Sequence, residues 1–209
     1  MNEIHPTAIV GPEVRFGDNN VIGPFVVLDG DIKIGSGNVL GPHVVVLGPC
    51  SIGDDNSIDP HTVINTAAEI RGQDRRGTRV GSRNVLKEFV SLQGGDSSIG
   101  DDCFLMNTSH VAHDCHLGDF VTMAPTVMLA GHVSVEDYAT LGIGATVYQR
   151  VTIGEGAMVG MNSTVLKDVP AWTTVFGTPA RVIGQNLEGM KRWGKGQIQH
   201  QPQEGPKPP

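Results

Sequence analysis

The chain is written in sixes. From His5 it divides into HPTAIV GPEVRF GDNNVI GPFVVL DGDIKI GSGNVL GPHVVV LGPCSI GDDNSI DPHTVI NTAAEI, and the sixth residue of every block is apolar. The register breaks over RGQDRRGTRV, resumes as GSRNVL KEFVSL, breaks again at QGGDSSI, and then runs from Gly100 to Val165. Position one is often glycine (Gly11, Gly17, Gly23, Gly118, Gly154), and position two is repeatedly proline (Pro6, Pro12, Pro24, Pro42, Pro60, Pro125). Position four is small or β-branched in most blocks. Alternation along an extended chain puts positions four and six on the same face, while glycine and proline supply a bend. A spacing of six would scatter around a helix of 3.6 residues per turn. Repeated strand-and-corner units therefore predict an all-β protein, a parallel β-helix. Aromatics at 5% and 28 glycines fit a closely packed aliphatic core.

This pattern resembles the hexapeptide-repeat, left-handed β-helix acyltransferases. The resemblance implies three hexads per triangular coil, so 18 residues per coil. It also implies homotrimers with active sites between prisms. At about 4.8 Å between strands, eight or nine coils make a prism roughly 40 Å tall. The expected organisation is a β-helix over 1–183 with breaks at 71–80 and 93–99 protruding as corner loops. A short helix over 184–195 and a disordered, proline-rich tail over 196–209 follow.

Composition narrows the setting. No apolar run approaches the roughly 18–20 residues of a membrane span, and the start lacks the regions of a secretory signal. Three cysteines at unpatterned spacings argue against a disulfide framework, so a cytoplasmic protein is expected. Cys50, Cys103 and Cys115 all fall at position four, where a buried thiol packs as a small hydrophobe. A net charge of −7 argues against bulk nucleic-acid binding.

Histidine is the informative residue. His110, His113 and His116 lie in NTSHVAHDCHLGD, and His132 lies in LAGHVSV. His113 takes position two and Asp114 position three, both near a corner, and His132 follows His113 by one coil plus one residue. Three readings compete: surface histidines, metal ligands, or a general base held by a carboxylate. No histidine lies between His61 and His110, which fits poorly the ligand pattern of the β-helical carbonic anhydrases.

The stretch from Leu105 to Gly142, with AHDC followed by LAGHVSV, resembles the active-site segment of the UDP-N-acetylglucosamine 3-O-acyltransferases of lipid A biosynthesis. IHPTAIV, GPFVV and the downstream Asn186, Glu188, Gly189, Met190, Lys191, Arg192, Gly194 resemble the same family. The resemblance implies His113 as general base, Asp114 as its support and the Gly131 N–H as oxyanion donor. It implies roles for His110, His132, Gln149, Asn186, Glu188 and Arg192 in holding the nucleotide sugar or acyl group. It implies no cofactor or metal, and acyl carrier protein and a UDP-amino sugar as partners. An activated thioester needs only a base and an oxyanion donor.

The chain departs from that family in Tyr148 for a histidine, Trp193 for an arginine, and QGGDSS in place of an upstream loop. A C-terminal region of several helices is nearly absent. Met161 stands at the position implied to limit acyl length, so a medium or shorter chain is expected. Arg71, Arg75, Arg76, Arg79, Arg83 and Lys87, with Lys191, Arg192 and Lys195, are expected to supply a basic docking surface for an acidic carrier. The rival readings are an acetyl-CoA-dependent sugar-nucleotide N-acetyltransferase, suggested by GTPARVIG, and a non-catalytic β-helical binding protein.

Overall fold

The computed structural model describes residues 1–68 and 76–194. It is a left-handed parallel β-helix of about nine turns with one short helix, Leu187–Arg192. Strands of two to four residues stack into three parallel sheets that form the faces of a triangular prism. The first face begins with Glu3–Ile4, the second with Ile9–Val10 and the third with Val14–Phe16. Register is strict: Glu3 pairs Val21, Ile9 pairs Val27 and Val14 pairs Ile32, so each coil is three hexads.

Most corners share one construction. Position three has a left-handed backbone, as at Phe25 (φ 59°), His43 (φ 61°), Asp114 (φ 57°) and His132 (φ 62°). The position-four N–H returns to the position-one carbonyl, as from Ala8 to His5 at 2.9 Å and from Ala145 to Gly142 at 3.0 Å. A type II turn has this form and favours proline at its second residue. Position-two proline suits corners where that N–H is idle; along the third corner it is used instead, as where the Ser36 N–H donates to Asp54 Oδ1 (2.6 Å) and the Asp54 N–H to Ser82 Oγ (3.0 Å).

Position six fills the core with residues such as Ile22, Leu28, Leu92, Leu129 and Val159, all essentially inaccessible. Position four at the third corner, between the third and first faces, holds an internal amide ladder that small-residue patterning did not anticipate. Asn20, Asn38, Asn56 and Asn84 are buried. Asn38 Nδ2 donates to Asn20 Oδ1 (3.0 Å) and Asn56 Nδ2 to Asn38 Oδ1 (2.8 Å). The Asn84 N–H donates to Asn56 Oδ1 (2.9 Å), and Asn56 Nδ2 also reaches the Gly81 carbonyl (3.0 Å). Asn56→Ala would strand the buried Asn84 N–H, while the Gly81 carbonyl would keep its bond from the Gly53 N–H (3.2 Å). At roughly 1–3 kcal/mol for a buried group left unpaired, we expect a loss of about 2 kcal/mol, measured as a lowered urea midpoint.

The described parts of the two breaks in the period do not loop out. Across the first, corresponding residues are 28 apart rather than 18, ten extra residues at the second corner. Residues 69–75 lie outside the described residues, but Thr78–Val80 is a strand of the third face, paired on both sides. The second break adds one residue, so Ser91 and His110 are 19 apart. It stays tight: Gly94 and Gly95 are buried and Ser97–Ile99 is a regular strand. A Cβ at Gly94 would meet Asn65 Oδ1 at 2.4 Å, and one at Gly95 would meet Asp114 Oδ1 at 2.9 Å. Glycine there lets the backbone lie against its neighbours instead of looping out.

After Val165 the chain makes a hairpin the hexad pattern did not forecast. Thr173–Phe176 joins the first face and Arg181–Gln185 returns antiparallel to it. Gln185 still pairs with Thr173, so the helix expected from 184 begins at Leu187. The tail over 196–209 lies outside the described residues. Among the described residues no helix is long and apolar enough to cross a membrane.

Candidate active site

Both breaks in the period fall on the second corner, between the second and third faces, in the coils that lead to His113. Sequences depart from their own rule where function demands it, and here the departures surround one group of side chains. Asp114 Oδ2 lies 2.8 Å from Nδ1 of His113 and 3.9 Å from Nε2 of His132. Asp114 Oδ1 accepts from the Asp96 N–H (3.1 Å) and from Arg76 (3.1 Å). The His113 N–H donates to Gln93 Oε1 (3.2 Å). The His113 and His132 rings meet edge to face, with centroids 5.1 Å apart. His113 and Asp114 side chains are 14% and 10% exposed, enough for His113 to reach a substrate while shielded from bulk water.

Burial pushes the Asp114 carboxyl upward, but the hydrogen bonds from His113 and the Asp96 N–H, with the charges of Arg76 and His132, outweigh it. The carboxyl is held below its ordinary value. A carboxylate depressed by folding stabilises the native state above the unfolded value, a contribution lost as pH falls through the native one. Asp114 is therefore an acceptor at neutral pH and fixes a proton on the Nδ1 side of His113, leaving Nε2 to take a proton.

Gly131 lies under the imidazole. A Cβ there would sit 2.4 Å from His113 Cε1 and 2.5 Å from Nε2. Gly131 takes position two, a site that several other corners fill with proline, which has no N–H. Its carbonyl is used, accepting from the Arg150 N–H at 3.1 Å. Among the described residues the Gly131 N–H has no partner, which leaves it available to an oxyanion. His113, Asp114 and His132 also place one ligand atom each within 4.8 Å of one another, as a cation would need. Two of those groups are already bonded to each other through Nδ1 and Oδ2.

The other expected site residues divide. His110 stands on the second face beside this corner, its Nδ1 2.7 Å from Ser91 Oγ. Gln149 is exposed at the same corner, one coil beyond Gly131, with Nε2 3.4 Å from the Tyr148 hydroxyl. Met161 is at the first corner, 56% exposed. Asn186, Glu188 and Arg192 belong to the third corner. Asn186 caps the helix, accepting from the Gly189 N–H (3.0 Å) while its Nδ2 reaches the Gly156 carbonyl (2.8 Å). Arg192 lies 5.2 Å over Trp193, whose ring packs on Phe120 and Tyr138. The tryptophan in place of an arginine thus fastens the helix to the prism. Within one chain these three residues are not brought to His113.

The basic cluster expected around the first break is dispersed. Arg79 pairs with Asp96, Arg83 with Asp101 and Asp102, and Lys87 with Asp59 and Glu88, on different faces and corners. A hexad step turns the chain by a third of the prism, so closeness in sequence does not make a patch. Arg71, Arg75 and Lys195 lie outside the described residues. The cysteines are core: burial pushes Cys50 and Cys103 up to about 12 and Cys115 to about 11, far from a reactive thiolate.

Fold and corner together define a hexapeptide-repeat β-helix that carries a histidine–carboxylate pair over a glycine. A family profile described as bacterial transferase hexapeptide (six repeats) matches residues 31–66. Among solved structures, a UDP-N-acetylglucosamine acyltransferase from Francisella novicida superposes with a TM-score of 0.89 at 30% identity, covering 91% of this chain and 73% of that one. The UDP-N-acetylglucosamine O-acyltransferase from Moraxella catarrhalis gives 0.87 at 31%, covering 91% and 77%. The chain belongs to the UDP-N-acetylglucosamine acyltransferase family. The acyl-[acyl-carrier-protein]–UDP-N-acetylglucosamine O-acyltransferase of Alkalilimnicola ehrlichii is 40% identical over 123 residues, 56% of this chain and 48% of that protein. The Pseudomonas aeruginosa protein of the same name is 36% identical over 121 residues, 55% and 47%. The chain thus spans about half the length of the curated relatives it matches.

Proposed function

We propose that this protein transfers a (3-hydroxy)acyl group from acyl carrier protein to the 3-position of a UDP-N-acetyl amino sugar, in the cytoplasm, with His113 as general base. The observation that carries this reading is the His113 ring, bonded to Asp114 through Nδ1 and lying over Gly131. His113 Nε2 takes the proton of the acceptor group as its heteroatom attacks the thioester carbonyl. The Gly131 N–H receives the oxyanion. Collapse expels the carrier thiolate, which takes the proton back from His113, so no covalent enzyme intermediate is needed.

The faces support assembly into a homotrimer. The third face presents polar side chains outward, including Arg15, Lys33, Ser51, Arg79 and His116. The first face presents Val21, Val39 and Phe104, and the second Ile9 and Met128, each more than a third exposed. The first corner between them carries a continuous stack of Phe25, His43, His61 and Phe89 with centroids 4.9–5.0 Å apart. Three copies meeting at first corners would bury both apolar faces, the first face of one copy against the second face of the next, a heterologous contact that closes by three-fold rotation. That packing sets the second corner of one copy beside the third corner of the next. Asn186, Glu188 and Arg192 would then approach the neighbour's His113 to hold the nucleotide, and Met161 would lie inside the interface to limit the acyl chain.

The test is transfer from carrier-protein thioesters of graded length to UDP-N-acetylglucosamine, read by product mass. Met161→Gly should shift the preferred donor to longer chains. Each methylene admitted adds about 0.8 kcal/mol, or about fourfold in relative rate. An unchanged length preference would remove Met161 from the acyl site.

A further inference from the structure

We propose that Arg76 is a positioning residue for the His113–Asp114 pair, anchoring one carboxylate oxygen of Asp114 so that the other fixes the tautomer of His113. The role presumes the general-base reading above, but its evidence is independent of turnover.

Asp114 divides its oxygens. Oδ2 serves the imidazole, whereas Oδ1 is held by the Asp96 N–H and by Arg76 Nη2, each at 3.1 Å. With both contacts on one oxygen, the carboxylate plane cannot turn without breaking them. Arg76 itself is placed by the ten-residue insertion at this corner. The feet of that insertion are pinned by buried groups: Thr78 Oγ1 donates to Asn65 Oδ1 (2.9 Å), and Asn65 Nδ2 reaches the Leu47 and Pro49 carbonyls. Arg76 is two residues from the pinned Thr78, joined to it through Gly77 (φ 116°), so its guanidinium reaches Asp114 on a short stem.

The Arg76 side chain is 61% exposed and that of Asp114 10%, so solvent screens the guanidinium end of the pair. The fold holds Asp114 through the Asp96 N–H without it. The other charged groups around the pair are His132, against Oδ2, and Asp96, whose own carboxylate is engaged by Arg79. Arg76 is therefore the arginine, among the described residues, paired with the oxygen of Asp114 that does not serve His113.

The experiment is nitrogen-15 NMR of histidine-labelled full-length protein, wild type, Arg76→Gln and Arg76→Lys, at a pH where His113 is neutral. In the wild type the proton should sit on Nδ1. In Arg76→Gln a substantial share should move to Nε2, and the Asp114 carboxyl, followed by carbon-13, should titrate at higher pH. Arg76→Lys should recover much of both signals. Kinetically, Arg76→Gln should lower kcat about five- to tenfold with KM for the sugar within twofold. An unchanged tautomer in Arg76→Gln would overturn the proposal, as would a raised KM with kcat intact, which would make Arg76 a substrate-binding group instead. Should no thioester be turned over by the wild type, the functional reading fails. The NMR signals still decide whether Arg76 sets the tautomer.

Discussion

His113→Ala should lower acyl transfer about 10²–10⁴-fold, the range that removal of a positioned general base produces. The coil should be unaffected, since what the corner takes from residue 113 is backbone: its N–H bonds Gln93 Oε1 and its carbonyl accepts from the His132 N–H. His116→Ala is the control. That imidazole belongs to the same sequence motif but stands on the third face, exposed, with Nδ1 3.0 Å from Ser98 Oγ. Its loss should change the rate by less than about twofold, because a group that never meets the reacting atoms offers nothing to the transition state. Equal losses in the two variants would mean that the motif acts through folding and not through chemistry at the second corner. Kinetics alongside urea unfolding would separate the two.

Gly131→Ala is the second large effect. The backbone at position two tolerates even proline elsewhere in the coil, so alanine brings no conformational penalty there. What it brings is a methyl group 2.4–2.5 Å from the His113 ring. The imidazole must move, and a displacement of about 1 Å can cost about 100-fold in rate. The expected result is a loss of that order with the unfolding midpoint nearly unchanged. The double variant with His113→Ala supplies the cause: with the ring gone, alanine at 131 should cost little more, a strongly non-additive cycle. Additive losses would instead assign Gly131 a role separate from the imidazole, and the close contact would then be incidental.

The repeat was legible because it is written in side-chain volume, which a sequence displays directly. Position six is aliphatic and position two is often proline, and both follow from a strand ending in a type II turn. The asparagine ladder was hidden for the opposite reason. Asn20, Asn38 and Asn56 look like solvent-facing turn residues until the 18-residue coil stacks their amides. The pairing of His113, Asp114, Gly131 and His132 could be reached from one-coil spacing combined with family resemblance. Arg76, Gln93 and Asp96 could not, because they act through insertions that break the spacing. Their signal was present in another form: both breaks precede His113 and, at 18 residues per coil, fall on its corner. The basic cluster failed by treating neighbours in sequence as neighbours in space, although each hexad turns to a new face.

The third-corner residues show where a single chain stops. Asn186 is fully used in capping a helix and bonding Gly156, yet the helix it fixes presents Glu188 and Arg192 outward. Their connection to His113 passes through the proposed three-fold packing, and a chain read alone places them one face away.

The central claim is that the second corner moves an acyl group between a thioester and a nucleotide sugar. It is tested most directly by incubating the purified protein with UDP-N-acetylglucosamine, its 3-amino counterpart, a set of acyl carrier protein thioesters and acetyl-CoA. We expect a mass increase on the sugar nucleotide equal to one (3-hydroxy)acyl group, from carrier-protein donors, absent with His113→Ala. Transfer from acetyl-CoA alone would instead assign an acetyltransferase. Binding of the sugar nucleotide without transfer from any donor would contradict the account and leave the β-helix as a binding scaffold.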